Sequence, residues 1–387
     1  MDASEEFDAA LPAPAQHLIC AARAFAEQVV ARHAEEWERE RVWPVETLRH
    51  ACVEPRLAAV EVPTARGGLG LPFRARVRVA EELAKVDFGF AFALINHHNA
   101  AARVAEAGTA AAADRYLPRL LSGELIGCTA MSESEAGSDF AAITTTAKAV
   151  SGGWLLSGAK RWIGNAAGAD LFLTFAQTDV SARGNGIACF LVDASSPGFE
   201  RHTPEPLSGV HAAGIGGFAL HDYFAPEEHL LYSPGEGFRL AMASVNKART
   251  HVAAMAAGVL RTSLRQATDF AKERKAFGQP LLKHQGLRWT LADVATTHEA
   301  LQLLTYRAAN LIDQKHDAQR AAAMAKKFAG DHGPAAVLTC MQTLGARGLL
   351  QSSGFHRRLA AAKAMCFADG TTEMMNERIG KFLGRNS

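Results

Sequence analysis

From Ile126 to Leu231 the chain changes its grammar, and this change does most to limit what it can fold into. Short apolar runs beginning at Trp154, Leu171, Ile187 and Phe218 are separated by Ser-Gly-Gly, Ser-Ala-Arg-Gly-Asn-Gly and Pro-Glu-Pro-Leu-Ser-Gly. Short runs bounded by turn formers read as strands. On either side the apolar residues recur at helical spacing instead. Leu18, Ala22, Phe25, Val29 and Val30 do so before the strands, with the charged run Arg32 to Arg41 on the opposite face. After them, Phe238 to Lys272, His284 to Gln314, Ala318 to Leu344 and Thr371 to Phe382 form helical stretches with short connections, the pattern of a bundle. The expected fold is therefore mainly α with an inserted β domain: helical over residues 1–125, β over 126–234, and a helical bundle over 235–387.

Two stretches need a choice. Val60 to Gly70 carries a proline and three glycines, so it is read as a loop. Arg74, Arg76 and Arg78 alternate with apolar residues like a strand, yet they lead into the helix former Val79-Ala-Glu-Glu-Leu-Ala-Lys85, and helix is expected throughout.

Composition excludes several functions. In 387 residues, 41 Lys and Arg face 40 Asp and Glu, which leaves no broad basic footprint for nucleic acid. Cys20, Cys52, Cys128, Cys189, Cys340 and Cys366 are scattered without metal-ligand spacing, as expected for reduced buried thiols, and no metal is expected. No apolar run is long enough for a membrane span, and the acidic start is unlike a secretory signal. A cytoplasmic location is expected. Gly214, Gly216 and Ala219 formally fit a dinucleotide fingerprint, but no helix follows, so the match is accidental. His97 and His98 point to different sides of one helix and cannot easily share a metal. They read as a satisfied, partly buried pair.

Candidate chemistry gathers at Gly127 to Asp139 and at Trp162-Ile-Gly-Asn165, which supply hydroxyls, backbone amides and an indole suited to a planar ring system. Met131-Ser-Glu-Ser-Glu-Ala-Gly-Ser-Asp139, Trp162-Ile-Gly-Asn165, Glu273-Arg-Lys-Ala-Phe-Gly278 and Phe367-Ala-Asp-Gly-Thr371 resemble, in order and spacing, the signatures of the acyl-CoA dehydrogenase family. The resemblance implies a middle β-barrel or sandwich, a C-terminal four-helix bundle, bound FAD, an acyl thioester substrate on coenzyme A or a carrier protein, and an electron-transfer flavoprotein or similar acceptor. It also implies a homodimer or homotetramer. One histidine of the pair would then line an acyl pocket.

The remaining assignments follow from the same resemblance. Asp369 stands where a glutamate base is usual, and its shorter side chain alters the reach to an alpha proton. The position matching the base of other members is Arg249, which cannot be a base and would face the thioester or order the site. Asn246 would touch the pantetheine arm and Ser138 the entrance. Met131, Ser132 and Trp162 would hold the flavin ring, with Gly164 where a threonine is usual. Arg274 and Phe277 would meet the FAD pyrophosphate across a subunit interface, Gln342 and Gly345 would receive the adenylate end from a partner, and Thr371 would add a hydroxyl. An Arg-Asp pair is replaced by Ala360-Ala361, and an arginine of the last helix by Asn376. Two further readings stay open: the same pocket serving oxidase or elimination chemistry, and a non-catalytic scaffold.

Overall fold

The computed structural model describes residues 3–204 and 207–383; Glu205 and Pro206 of the proline-rich turn and the last four residues lie outside them. Seven helices come first: α1 (Ala3–Ala9), α2 (Ala13–Phe25), α3 (Ala31–Arg39), α4 (Val45–Val53), α5 (Phe73–Ala84), α6 (Phe88–Ala107) and α7 (Ala110–Leu121). A one-turn π-helix, Ala26–Val30, joins α2 to α3. The starts follow local chemistry. Pro12 and Pro72 precede α2 and α5, the Asp87 carboxylate caps α6 by accepting from Phe90 N at 2.8 Å, and the Thr109 hydroxyl caps α7.

The Arg74 to Arg78 segment is helix and not strand. Its alternation misleads because Arg76 and Arg78 are buried yet paired, with Glu61 at 2.6 Å and Asp8 at 2.8 Å, while Arg74 pairs with Asp313 at 2.8 Å. Polar residues therefore occupy the inner face of α5 and hide its period. The loop from Val60 to Gly70 is irregular apart from one 3₁₀ turn at Thr64–Arg66, as its composition implies.

Strands β1 (Gly127–Ala130), β2 (Thr146–Val150), β3 (Gly153–Ile163), β4 (Leu171–Gln177), β5 (Ile187–Asp193), β6 (Phe199–Arg201), β7 (Gly216–Pro226) and β8 (Leu230–Tyr232) form one mixed sheet in the order β6-β7-β3-β2-β4-β5-β8, with β1 parallel to β4. Every residue of β4 is buried, so its run is apolar on both faces, whereas β2 exposes all but Ala147. The would-be fingerprint glycine Gly216 opens β7, which confirms that no dinucleotide turn is formed.

The remaining helices are α8 (Gly237–Glu273), α9 (Gln285–Asp313), α10 (Gln319–Thr343), α11 (Phe355–Ala364) and α12 (Thr372–Leu383). Helix α8 carries an almost continuous buried segment from Arg249 to Leu260 and crosses α5 so closely that a Cβ on Gly258 would sit 2.3 Å from Glu81 O. Below this crossing the buried Glu81 accepts from Gln302 Nε2 and Tyr306 Oη, both at 2.7 Å, which ties α5 to α9. Among the described residues no helix is long and apolar enough to cross a membrane, and no cluster of metal-ligating side chains is formed.

Candidate functional site

The loop after β1 is fastened to β3 by a buried ion pair. Lys160 Nζ donates to Glu133 Oε1 at 2.8 Å and to Met131 O at 3.2 Å. Glu133 also accepts hydrogen bonds from the backbone and hydroxyls of Thr144 and Thr145, between 2.6 and 3.0 Å. Burial works to raise its carboxyl, but the Lys160 charge and these hydrogen bonds outweigh that and hold it at about 2. Burial in turn lowers the Lys160 ammonium to about 8 despite the attraction of Glu133. Arg161 N donates to Ser132 O at 3.0 Å, so Met131 and Ser132 are fixed by backbone contacts while both stay partly open. Ser138, further along the loop, is exposed.

At the end of β3, Trp162 is left-handed at φ 63°, with its indole 49% exposed and the Arg161 guanidinium 5.0 Å from the ring centroid. Such a conformation costs about 1–3 kcal/mol away from glycine and has to be imposed by its surroundings. Asn165, at φ 65°, imposes it from behind through Nδ2 to Ala93 O at 2.8 Å and N to Ala213 O at 2.9 Å. The missing threonine at Gly164 now has a steric reason. A Cβ there would lie 2.8 Å from Phe92 Cε1 and 2.9 Å from Asn96 Nδ2, so α6 has filled the space. Asn96 donates to Gly164 O at 2.8 Å and accepts from Thr129 N at 3.3 Å.

Asp369 sits in the turn before α12, left-handed at φ 56°. Arg249 Nε donates to its backbone oxygen at 3.1 Å, and Nη1 donates to Asn246 Oδ1 at 3.1 Å, so the sequence-expected residues Asn246, Arg249 and Asp369 do come together. From α10, the fully buried Lys326 donates to Cys366 O at 3.1 Å and to Gly370 O, bracketing Asp369 along the chain. Burial raises the Asp369 carboxyl above the ordinary carboxylate value, against the pull of Lys326, Arg249 and Arg103. Burial also lowers Lys326 to about 8 and Arg249 to about 10. The result is a carboxyl raised by burial with the positive charges of Lys326, Arg249 and Arg103 around it. Thr371 caps α12 by accepting from Met374 N at 3.3 Å, so its hydroxyl has a structural task of its own.

The other expected cofactor residues lie apart, on the surface of the protomer. Arg274 is exposed, Phe277 is 96% exposed at φ 50°, and Gln342 and Gly345 are exposed beside Leu349. Arg357 and Arg358 do not stand in for the replaced Arg-Asp pair at the site. Arg357 binds Asp87 at 3.0 Å, and Arg358 donates to Ser353 O at 2.8 Å. Instead, Ala360 receives the loop at Gly209, where an added Cβ would come within 2.4 Å of Ala360 Cβ.

Family models described as acyl-CoA dehydrogenase N-terminal, middle and C-terminal domains match residues 14–124, 128–223 and 235–384. The chain belongs to the acyl-CoA dehydrogenase family. It is 32% identical over 362 residues to an acyl-CoA dehydrogenase of Bacillus subtilis, covering 93% of this chain and 95% of that one. Among solved structures it resembles butyryl-CoA dehydrogenase from Megasphaera elsdenii, with TM-score 0.93 and 28% identity over 96% of this chain and 98% of the other. PigA with FAD and proline gives TM-score 0.93 and 26% identity, over 97% of this chain and 99% of the other.

Sequence reading overlooked Lys326, Arg103, Asn96 and Phe92. Lys326 falls on the buried stripe of α10 with Ala322, Ala325 and Ala329, and a lysine in that phase is a readable anomaly. Asn96, Asn99 and Arg103 recur at helical spacing along an otherwise apolar helix, which is a second. His97 and His98 are both fully buried, not partly; His97 is satisfied at both ring nitrogens, by Leu120 O and Gly127 N, whereas His98 accepts from Glu61 N at 3.2 Å and its Nδ1 has no partner among the described residues. Cys20 is exposed, so not every thiol is buried.

Proposed function

We propose that this chain is a FAD-dependent enzyme that removes an alpha proton and a beta hydride from an acyl thioester, carried on coenzyme A or a carrier protein, with Asp369 as the base. The observation that carries this reading is the Asp369 carboxyl, raised by burial and flanked by Arg249 and Lys326, on the turn opposite the helix that bears Asn246. Helix α6 links that turn to the cofactor bed: Asn96 bonds Gly164 O and Thr129 N, and Arg103 bonds Thr129 Oγ1 while its charge is felt at Asp369.

The residues present fit a flavin. A half-exposed indole held in a strained conformation, next to the partly open Met131 and Ser132, is a surface suited to a planar ring. FAD, when bound, supplies the acceptor for the beta hydride. Asp369 takes the alpha proton, Arg249 holds the turn and neighbours the carbonyl, and Asn246 orients the thioester arm. Arg274 and Phe277 would meet the cofactor's phosphate half, and Gln342, Gly345 and Thr371 its far end, where two protomers meet. Ser138 marks the entrance. An electron-transfer flavoprotein or a similar acceptor closes the cycle.

The test is anaerobic titration of the purified protein with short, branched and long acyl thioesters, followed in the flavin band. Bleaching by one of them is expected. Asp369→Asn is expected to keep the yellow colour and ligand binding while slowing bleaching by about 10²–10⁴-fold, the worth of a general base. Bleaching at the wild-type rate by this variant would remove Asp369 from the role.

A further inference from the structure

We propose that the substrate's acyl group carries a carboxylate of its own, a monothioester of a short dicarboxylic acid, and that Arg103 binds it. This rests on the reading above for where the thioester lies.

Most cations around the site are already engaged. Arg76 is held by Glu61 at 2.6 Å, by Ile95 O at 3.3 Å and by Asn99, and Lys247 by Glu61 at 2.7 Å. Arg249 serves Asp369 O and Asn246, and Lys326 serves two backbone carbonyls. Arg103 differs. It is only 8% exposed, and its hydrogen bond is to a neutral partner, Thr129 Oγ1, at 2.8 Å. Among the described residues no carboxylate lies within ion-pairing distance of it. A guanidinium enclosed without an anion is expensive, and its planar fork matches a carboxylate.

The direction of Arg103 places the missing anion. Thr129 and Met131 are two residues apart in extended chain and share one face. Both are half-buried, while Cys128 and Ala130 are fully covered, so Thr129 lies on the same side of the strand as Met131 of the proposed cofactor bed. The Arg103 charge also helps hold down the Asp369 carboxyl, which puts it near the reacting end. On the stripe of α6 that carries Arg103, Asn96 and Asn99 precede it, so a plain alkyl tail would meet amides and a guanidinium there. The oxidised flavin ring is uncharged and does not balance Arg103.

The test compares binding of succinyl-, glutaryl- and butyryl-pantetheine to the FAD-loaded protein, by calorimetry and by perturbation of the flavin spectrum. Pantetheine is the arm common to coenzyme A and carrier proteins. A dicarboxylic thioester is expected to bind more tightly than butyryl-pantetheine. That preference should fall about tenfold or more in Arg103→Met, the scale of one lost charge-assisted contact, and be partly restored in Arg103→Lys. Equal binding of all three thioesters by the wild type, no binding of any, a preference that survives Arg103→Met, or loss of FAD from that variant would each overturn the assignment. Preferential binding without bleaching would uphold the carboxylate subsite and refute the dehydrogenation reading alone.

Discussion

Asp369, the proposed base, works against the stability of the folded protein. Its folded pKa is raised, so the ionised form is disfavoured by folding. The sign follows: stability falls as pH rises from the ordinary value of 3.8 through the folded one, and the cost is present in full above it. Asp369→Asn removes the charge and tolerates the left-handed backbone, so its thermal midpoint at neutral pH should exceed that of the wild type even as turnover is lost. A lower midpoint, read by calorimetry, would show that the attraction of Lys326 and Arg249 outweighs burial. In the wild type the bleaching rate should rise with pH through a titration displaced upward from the usual carboxylate range. Trp162, Phe277 and Asp369, all singled out from sequence, share a left-handed conformation that no sequence pattern announces, because φ is set by what packs around each residue.

Among the elements, the β1 loop and β3 are joined through Glu133 and Lys160, and this pair has a clear pH signature. The Glu133 carboxyl lies at about 2 in the fold against 4.5 when unperturbed. Its contribution is therefore present above pH 4.5 and is lost as pH falls toward 2, amounting to about 3 kcal/mol. Glu133→Gln should cost roughly that much at pH 7 and flatten the acid limb of the denaturation profile, measured with urea between pH 7 and 3. The helices and strands themselves were legible: α8, α9 and α10 from their helical period, and β4, β5 and β7 as short apolar runs bounded by turn formers. Less legible was α5, where buried arginines break the apolar stripe, and the filling of the Gly164 site by Phe92 and Asn96, which depends on two elements far apart in sequence. A resemblance could flag the missing threonine, but only packing explains it.

At the scale of the whole molecule, the residues proposed for the site divide into an inner set, around Trp162 and Asp369, and an outer set, at Arg274, Phe277, Gln342 and Gly345. Phe277, 96% exposed, Leu349, 77%, and Trp289, 62%, are large apolar side chains left in water on this protomer. On the proposed reading a second protomer covers these side chains and completes the cofactor site. Trp289→Asp should reduce the mass measured by light scattering to that of one chain and release FAD in the same concentration range; a variant that stays multimeric with its flavin would place the interface elsewhere. This division also explains why the sequence motifs for the outer set could be matched but not tied to the inner set within one chain. The contact between Gly209 and Ala360 has a different kind of consequence. Because the loop rests on α11 through two of the smallest residues, neither position can grow while the other stays. The two positions are therefore coupled: a side chain larger than alanine at position 360, such as the arginine or aspartate that the family resemblance implies nearby, requires the Gly209 loop to move away first.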